Sequence, residues 1–343
     1  MGAGRDEVVR VGITPAGTMN LVRSHHRDVL GRLAPVLPPG PEPACSHPGL
    51  VWAATRTPAG GGDPAGVAEL ARSLADAGSM PPLEHLTPGA ASDASDTSDA
   101  SGTSHTSDTS HTSDTSDTSD TSDAPSVPEW CRWGTDQLLA DIRRTSGAGD
   151  ADFRAPDPRE GIAHLEAARD TLRTVWPEAA LESDLLVRVI VYVQGGAFRS
   201  ATLRQTFGAV YLGTSSVESV PAAFEALLHE TGHHALYLRN FFAPFVTNGD
   251  VMISHPLRPD PRPVSGAVHA AHVLARMAYG LTRWAAARPA APPEVTARRD
   301  DALHRLRGTI EALEPTAEWT EEGRRYFDDL LRWEKELTAA HGS

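Results

Sequence analysis

Residues 92 to 123 are a near-perfect three-residue repeat of Ser, Asp and Thr, with His105 and His111 standing in place of Asp. Such a stretch offers almost no apolar surface to offset the entropy of ordering the chain, so it is expected to be a disordered linker. It divides the 343 residues into an N-terminal helical segment, 1–91, and a catalytic-sized region, 124–343. The repeat also dominates the charge. The formal net charge is −14, and without the repeat's eight aspartates it is −6. No basic stripe accompanies a nucleic-acid reading element, so nucleic acid is not an expected partner. The most apolar run, Leu185 to Val193, is interrupted by Arg188 and falls far short of the ~20 residues that cross a bilayer, so no membrane partner is expected. Cys45 and Cys131 make no disulfide framework, and the first residues carry no apolar export segment; a cytoplasmic protein is the expectation.

Outside the repeat, apolar spacing predicts helices around Val22 to Leu33, after Thr14-Pro15, and around Val67 to Leu74, after Asp63-Pro64. Further helices are expected over Trp130 to Ile142, Ile162 to Trp176, Ala222 to Asn240, Ser265 to Arg288, 295 to 313 and 320 to 339, the last capped by Thr320. Between them Leu185 to Val193 and Ala209 to Leu212 read as strands flanking a Gly195-Gly196 turn. The fold class is therefore α+β: a predominantly helical domain with a small sheet next to the helix that carries the chemistry.

That helix contains His229-Glu230-Thr231-Gly232-His233. Residues i and i+4 share a helix face, so the two imidazoles can meet one metal ion, with Glu230 between them as the candidate catalytic carboxylate. A third ligand decides the chemistry. A metzincin continuation needs Gly at 236 and His at 239, where this chain has Leu236 and Arg239. A thermolysin-like site needs a Glu from a following helix, and the next Glu is the distant Glu294. His234, Asp250, His255, Asp260, His269 and His272 remain. His234 adjoins a ligand and points about 100° away around the helix, toward second-layer or core contacts. Downstream, four prolines in the eight residues 256–263 fix the backbone around Arg258 and Arg262, two guanidinium groups suited to a carboxylate.

His-Glu-Thr-Gly-His at 229, Phe-Gly-Ala-Val-Tyr-Leu at 207, His-Pro-Leu-Arg-Pro-Asp-Pro-Arg-Pro at 255 and Ser-Gly-Ala-Val-His at 265 together resemble the HExxH-type iron(II)- and 2-oxoglutarate-dependent peptide β-hydroxylases of ribosomal peptide natural-product biosynthesis. The resemblance covers roughly residues 185 to 290. It implies a dioxygenase holding Fe(II) through His229, His233 and His269, with Arg258 or Arg262 gripping 2-oxoglutarate. It also implies a peptide substrate, such as a ribosomal precursor peptide, hydroxylated at an unactivated carbon. His234, His255 and His272 would then be substrate or outer-layer residues. The chain departs from the family pattern at His272, where an aromatic is usual, at His255, where Ser commonly precedes Pro, and in the repeat, which has no counterpart. The residues alone favour a rival: a zinc metallopeptidase with Glu230 as general base.

Overall fold

A computed structural model describes residues 15–34, 47–56, 68, 71–72, 83–86, 128–146, 158–193, 198–254, 260–287 and 291–341. The repeat, most of the helix expected at Val67 to Leu74, the Gly195-Gly196 turn, and His255 and Arg258 lie outside the described residues.

In chain order the elements are α1 (Pro15–Leu33), α2 (Pro48–Arg56), β1 (Glu84–Leu86), α3 (Glu129–Ser146), α4 (Pro158–Val175) and α5 (Pro177–Leu186). Then come β2 (Val189–Tyr192), β3 (Ser200–Ala201), β4 (Ala209–Leu212), α6 (Val220–Phe242), β5 (Met252–Ile253) and β6 (Arg262–Pro263), and finally α7 (Val264–Ala287), α8 (Pro293–Leu313) and α9 (Glu321–His341). The described chain is mostly helical with a small mixed sheet, as an α+β reading requires. No described helix is long and apolar enough to cross a membrane.

The sheet has the order β1-β2-β4-β3. β2 runs parallel to both β1 and β4, with Val189 opposite Glu84 and Ala209, while β3 closes one edge antiparallel to β4. The two strands expected from sequence do pair, but in parallel, and the first starts four residues late because Leu185 and Leu186 finish α5. Both strands are buried along their whole length. The reason is that both faces are covered. Ile190, Tyr192, Val210 and Leu212 join the main helical core, and Val189, Val191, Ala209 and Tyr211 pack with Trp52, Trp130 and Leu138 on the other side. Period-2 alternation thus leaves no polar face, which is why each strand reads as a continuous apolar run.

The N-terminal helices pack on the rest of the chain. Val29, Leu33, Leu50 and Val51 share a core with Leu186, Phe207, Ala235 and Leu238. A buried polar knot ties the same parts together: Thr18 of α1 donates to Glu182 of α5 at 3.1 Å, and Glu182 pairs with Arg276 of α7. Arg276 and Glu182 are 1% and 3% exposed, and the guanidinium lies 5.4 Å from the Trp176 ring centroid.

α6, which carries the HExxH residues, is fixed at its start by Ser219, whose Oγ accepts from the Ala222 amide at 3.2 Å and donates to Glu294 of α8 at 3.0 Å. α7 crosses it closely. A Cβ on Gly232 would stand 3.0 Å from a Val273 methyl, and one on Gly280 would stand 2.4 Å from a Leu228 methyl. These two glycines let the backbones approach, which brings His269 of α7 to the histidine face of α6. Thr320 caps α9 as expected, accepting from the Gly323 amide at 3.0 Å.

Candidate functional site

Three imidazoles meet where α6 and α7 cross. Nε2 of His229 and Nε2 of His233 are 3.1 Å apart, and Nδ1 of His233 is 3.2 Å from Nδ1 of His269. The other nitrogen of His229 faces the thioether of Met277, which is buried on α7, at 3.3 Å. In the metal-free chain neutral tautomers satisfy all three contacts in one direction, His269 donating to His233, His233 to His229, and His229 to Met277, and ligation through Nε2 of His233 would move its proton to Nδ1. Burial, before any neighbouring charge, pushes His229 and His269 down to about 4 and His233 well below the usual histidine range. All three therefore present lone pairs at neutral pH, the form that binds a metal.

Glu230 is the unusual member. Its carboxyl is fully buried, 3.8 Å from Nε2 of His229, and neither oxygen has a hydrogen bond of normal geometry. Burial raises it from 4.5 to about 8, opposed in part by the nearby Ser200 and Thr202 hydroxyls. A carboxyl held protonated in the fold but ionised in the unfolded chain gives stability that is full below about pH 4.5 and lost as pH rises through about 8. In metal-free protein, the unfolding free-energy difference between wild type and Glu230→Gln is thus expected to move by about 4 kcal/mol in the variant's favour from pH 5 to pH 9, read by urea denaturation with a chelator present. A flat difference would show that the carboxyl is not desolvated.

His229, Glu230, His233 and His269 all line one pocket of about 460 Å³, together with Thr202 and Arg204. His234 also borders it, but its Nε2 is committed to the Ala209 carbonyl at 3.3 Å and its ring rests on Phe207, so it joins the helix to the sheet. His272 is elsewhere. It is 1% exposed, its Nδ1 lies 2.8 Å from the Tyr326 hydroxyl, and it does not line the pocket. Arg262 sits in the β5–β6 hairpin opposite Ile253 and is likewise not a lining residue. Among the described residues the guanidinium that lines the pocket is Arg204, which the sequence reading did not single out. Tyr237 and Asn240 were also missed, although Tyr237 continues the i, i+4 stripe of His229 and His233 down the same helix face.

Two nitrogens bound to one ion at about 2.0–2.1 Å, at angles between square and tetrahedral, lie roughly 2.8–3.4 Å apart. The Nε2 pair of His229 and His233 meets that spacing, and the orphaned Glu230 carboxyl beside it is the kind of buried group a cation relieves. His269 reaches the cluster on the opposite nitrogen of His233, so one ion common to all three requires a ring to turn. Accordingly, among the described residues no three His, Cys, Asp or Glu side chains converge as ligands for a single ion.

Fold and site together define an α+β chain whose HExxH helix opens onto a cavity shared with a third histidine and an arginine. No protein-family model matches the chain, and no curated protein is significantly similar to it.

Proposed function

We propose that this chain is a metal-dependent oxygenase that hydroxylates an unactivated carbon, the β-carbon, of a peptide substrate with 2-oxoglutarate and O₂. The observation that carries the reading is the gathering of His229, Glu230, His233 and His269 on the wall of one cavity that also contains a guanidinium. His229 and His233 would hold Fe(II), with His269 as third ligand, leaving positions open for the co-substrates in the manner of facial-triad oxygenases. Iron bound there supplies O₂ activation coupled to oxidative decarboxylation: 2-oxoglutarate, O₂ and a C–H bond become succinate, CO₂ and C–OH.

The chain's own residues hold and orient. Met277 fixes the ring plane of His229 from behind, as outer-layer partners of ligand histidines do. Glu230, fully buried 3.8 Å from Nε2 of His229, would orient that ligand. Apolar walls from Leu203 and Phe207 exclude water from one side. The substrate is read as a ribosomal precursor peptide and the compartment as the cytoplasm, both resting on the sequence resemblance and the chain's composition.

A zinc metallopeptidase is the second reading, favoured by one observation: the buried Glu230 carboxyl is 3.8 Å from Nε2 of His229, the atom that would hold the metal, and a general base for a metal-bound water would stand beside that atom. The two readings separate on product. Reconstitution with Fe(II), ascorbate and 2-oxoglutarate is expected to yield succinate, measured by mass spectrometry, and none when Zn²⁺ replaces iron. Peptide cleavage by the zinc form, with no succinate under any condition, would establish the peptidase instead.

A further inference from the structure

Arg204 opens the single 3-10 turn, Arg204–Thr206, that joins β3 to β4, so its place is set by the sheet edge. Its guanidinium carbon stands 5.1 Å from the centroid of the Tyr237 ring on α6. A guanidinium laid over an aromatic face keeps its planar N–H edge available for a carboxylate. Among the described residues no ion pair involves Arg204, whereas the neighbouring Arg199 pairs with Glu225 at 3.5 Å. Nearby acids are already engaged or shielded: Asp28 pairs with Arg32 at 3.0 Å, and Glu230 is fully buried.

Arg204 and Tyr237 also belong to a second pocket, of about 350 Å³, whose other walls include Val29, Val51 and Ala54 of the N-terminal helices. The two pockets thus share one wall, and that wall carries the cation. The second pocket adds apolar floor, since Val29, Val51 and Ala54 are all buried.

From this placement we infer that Arg204, seated on Tyr237, is the carboxylate-binding residue of the site. A carboxylate can reach the shared wall from either side: as a small 2-oxo acid in the histidine pocket, or as an acidic side chain of a peptide lying across both. The role rests on the oxygenase reading only for what the carboxylate belongs to. Arg262 is then not needed for it, and the N-terminal helices become part of the substrate-binding surface.

Isothermal titration calorimetry on the full chain tests the assignment with three probes: 2-oxoglutarate, the capped tripeptide acetyl-Ala-Glu-Ala-amide and its Gln analogue. Wild type is expected to bind at least one carboxylate probe and not the Gln peptide. Which probe binds decides whether the carboxylate comes from the co-substrate or the peptide. Arg204→Gln is expected to weaken binding roughly ten- to hundredfold, the scale of a charge-assisted pair, with Arg204→Lys in between and the exposed Arg324→Gln unchanged. Equal binding by wild type and Arg204→Gln, or no binding of either carboxylate probe by wild type, overturns the inference; Arg204→Lys supplies the comparison if the Gln variant misfolds. Arg204-dependent binding without any succinate from the iron-loaded protein would leave the inference standing and overturn the oxygenase reading. Succinate production by Arg204→Gln at the wild-type KM would do the reverse.

Discussion

Replacing Glu182 by Ala is expected to lower the unfolding free energy by about 3–5 kcal/mol, because Arg276 is left buried with no counter-ion. Arg276→Ala is expected to cost a similar amount by stranding Glu182, while Thr18→Val, which removes one neutral donor, is expected to cost about 1 kcal/mol. Replacing both partners with Met restores most of the loss, since the penalty lies in the unpaired charge and not in the absent attraction. Denaturant titration of the three variants and the double variant checks this. The effect reaches the site. Arg276 lies one turn beyond His272 and two beyond His269 on α7, and its anchor on α5 helps set how α7 crosses the HExxH helix. A loss below about 1 kcal/mol for either single charge deletion would show that water reaches the pair.

His233→Ala is expected to reduce succinate formation by about a thousandfold or more, because His233 contacts both other imidazoles of the cluster. His234→Ala is the matched control. It removes a buried hydrogen bond to the Ala209 carbonyl and a contact with Phe207, so it is expected to cost about 1–3 kcal/mol of stability while activity stays within about tenfold. Steady-state succinate assays on both variants, beside their melting curves, separate the roles. Comparable activity losses in the two would mean that the cluster acts through the fold alone.

Much of this was legible in the sequence because its determinants are local. Ser219 and Pro221, followed by an apolar run, specify the start of α6, and i, i+4 spacing alone puts His229 and His233 on one face. Continuous apolar runs marked β2 and β4, but their parallel pairing depends on what covers each face, which no window of sequence contains. α2 was missed because its nine residues lie between proline- and glycine-rich stretches, and it is buried by contacts with distant elements. Arg204 had no local signal at all. It is brought to the cavity by the β3–β4 edge, whereas the proline-flanked Arg262, conspicuous in sequence, is placed in a hairpin away from the lining. His269 and His272, three residues apart on one helix, were separable by geometry and not by spacing: one contacts His233 and the other Tyr326.

That last distinction gives the most direct measurement of the central claim, that a metal site is built from the HExxH helix and the facing end of α7. Bound iron per chain, determined after anaerobic loading of wild type, His269→Ala and His272→Ala, is expected to be near one for wild type, to fall sharply for His269→Ala, and to stay near the wild-type value for His272→Ala once its lower stability is allowed for. Full iron in His269→Ala together with its loss in His272→Ala would contradict the account.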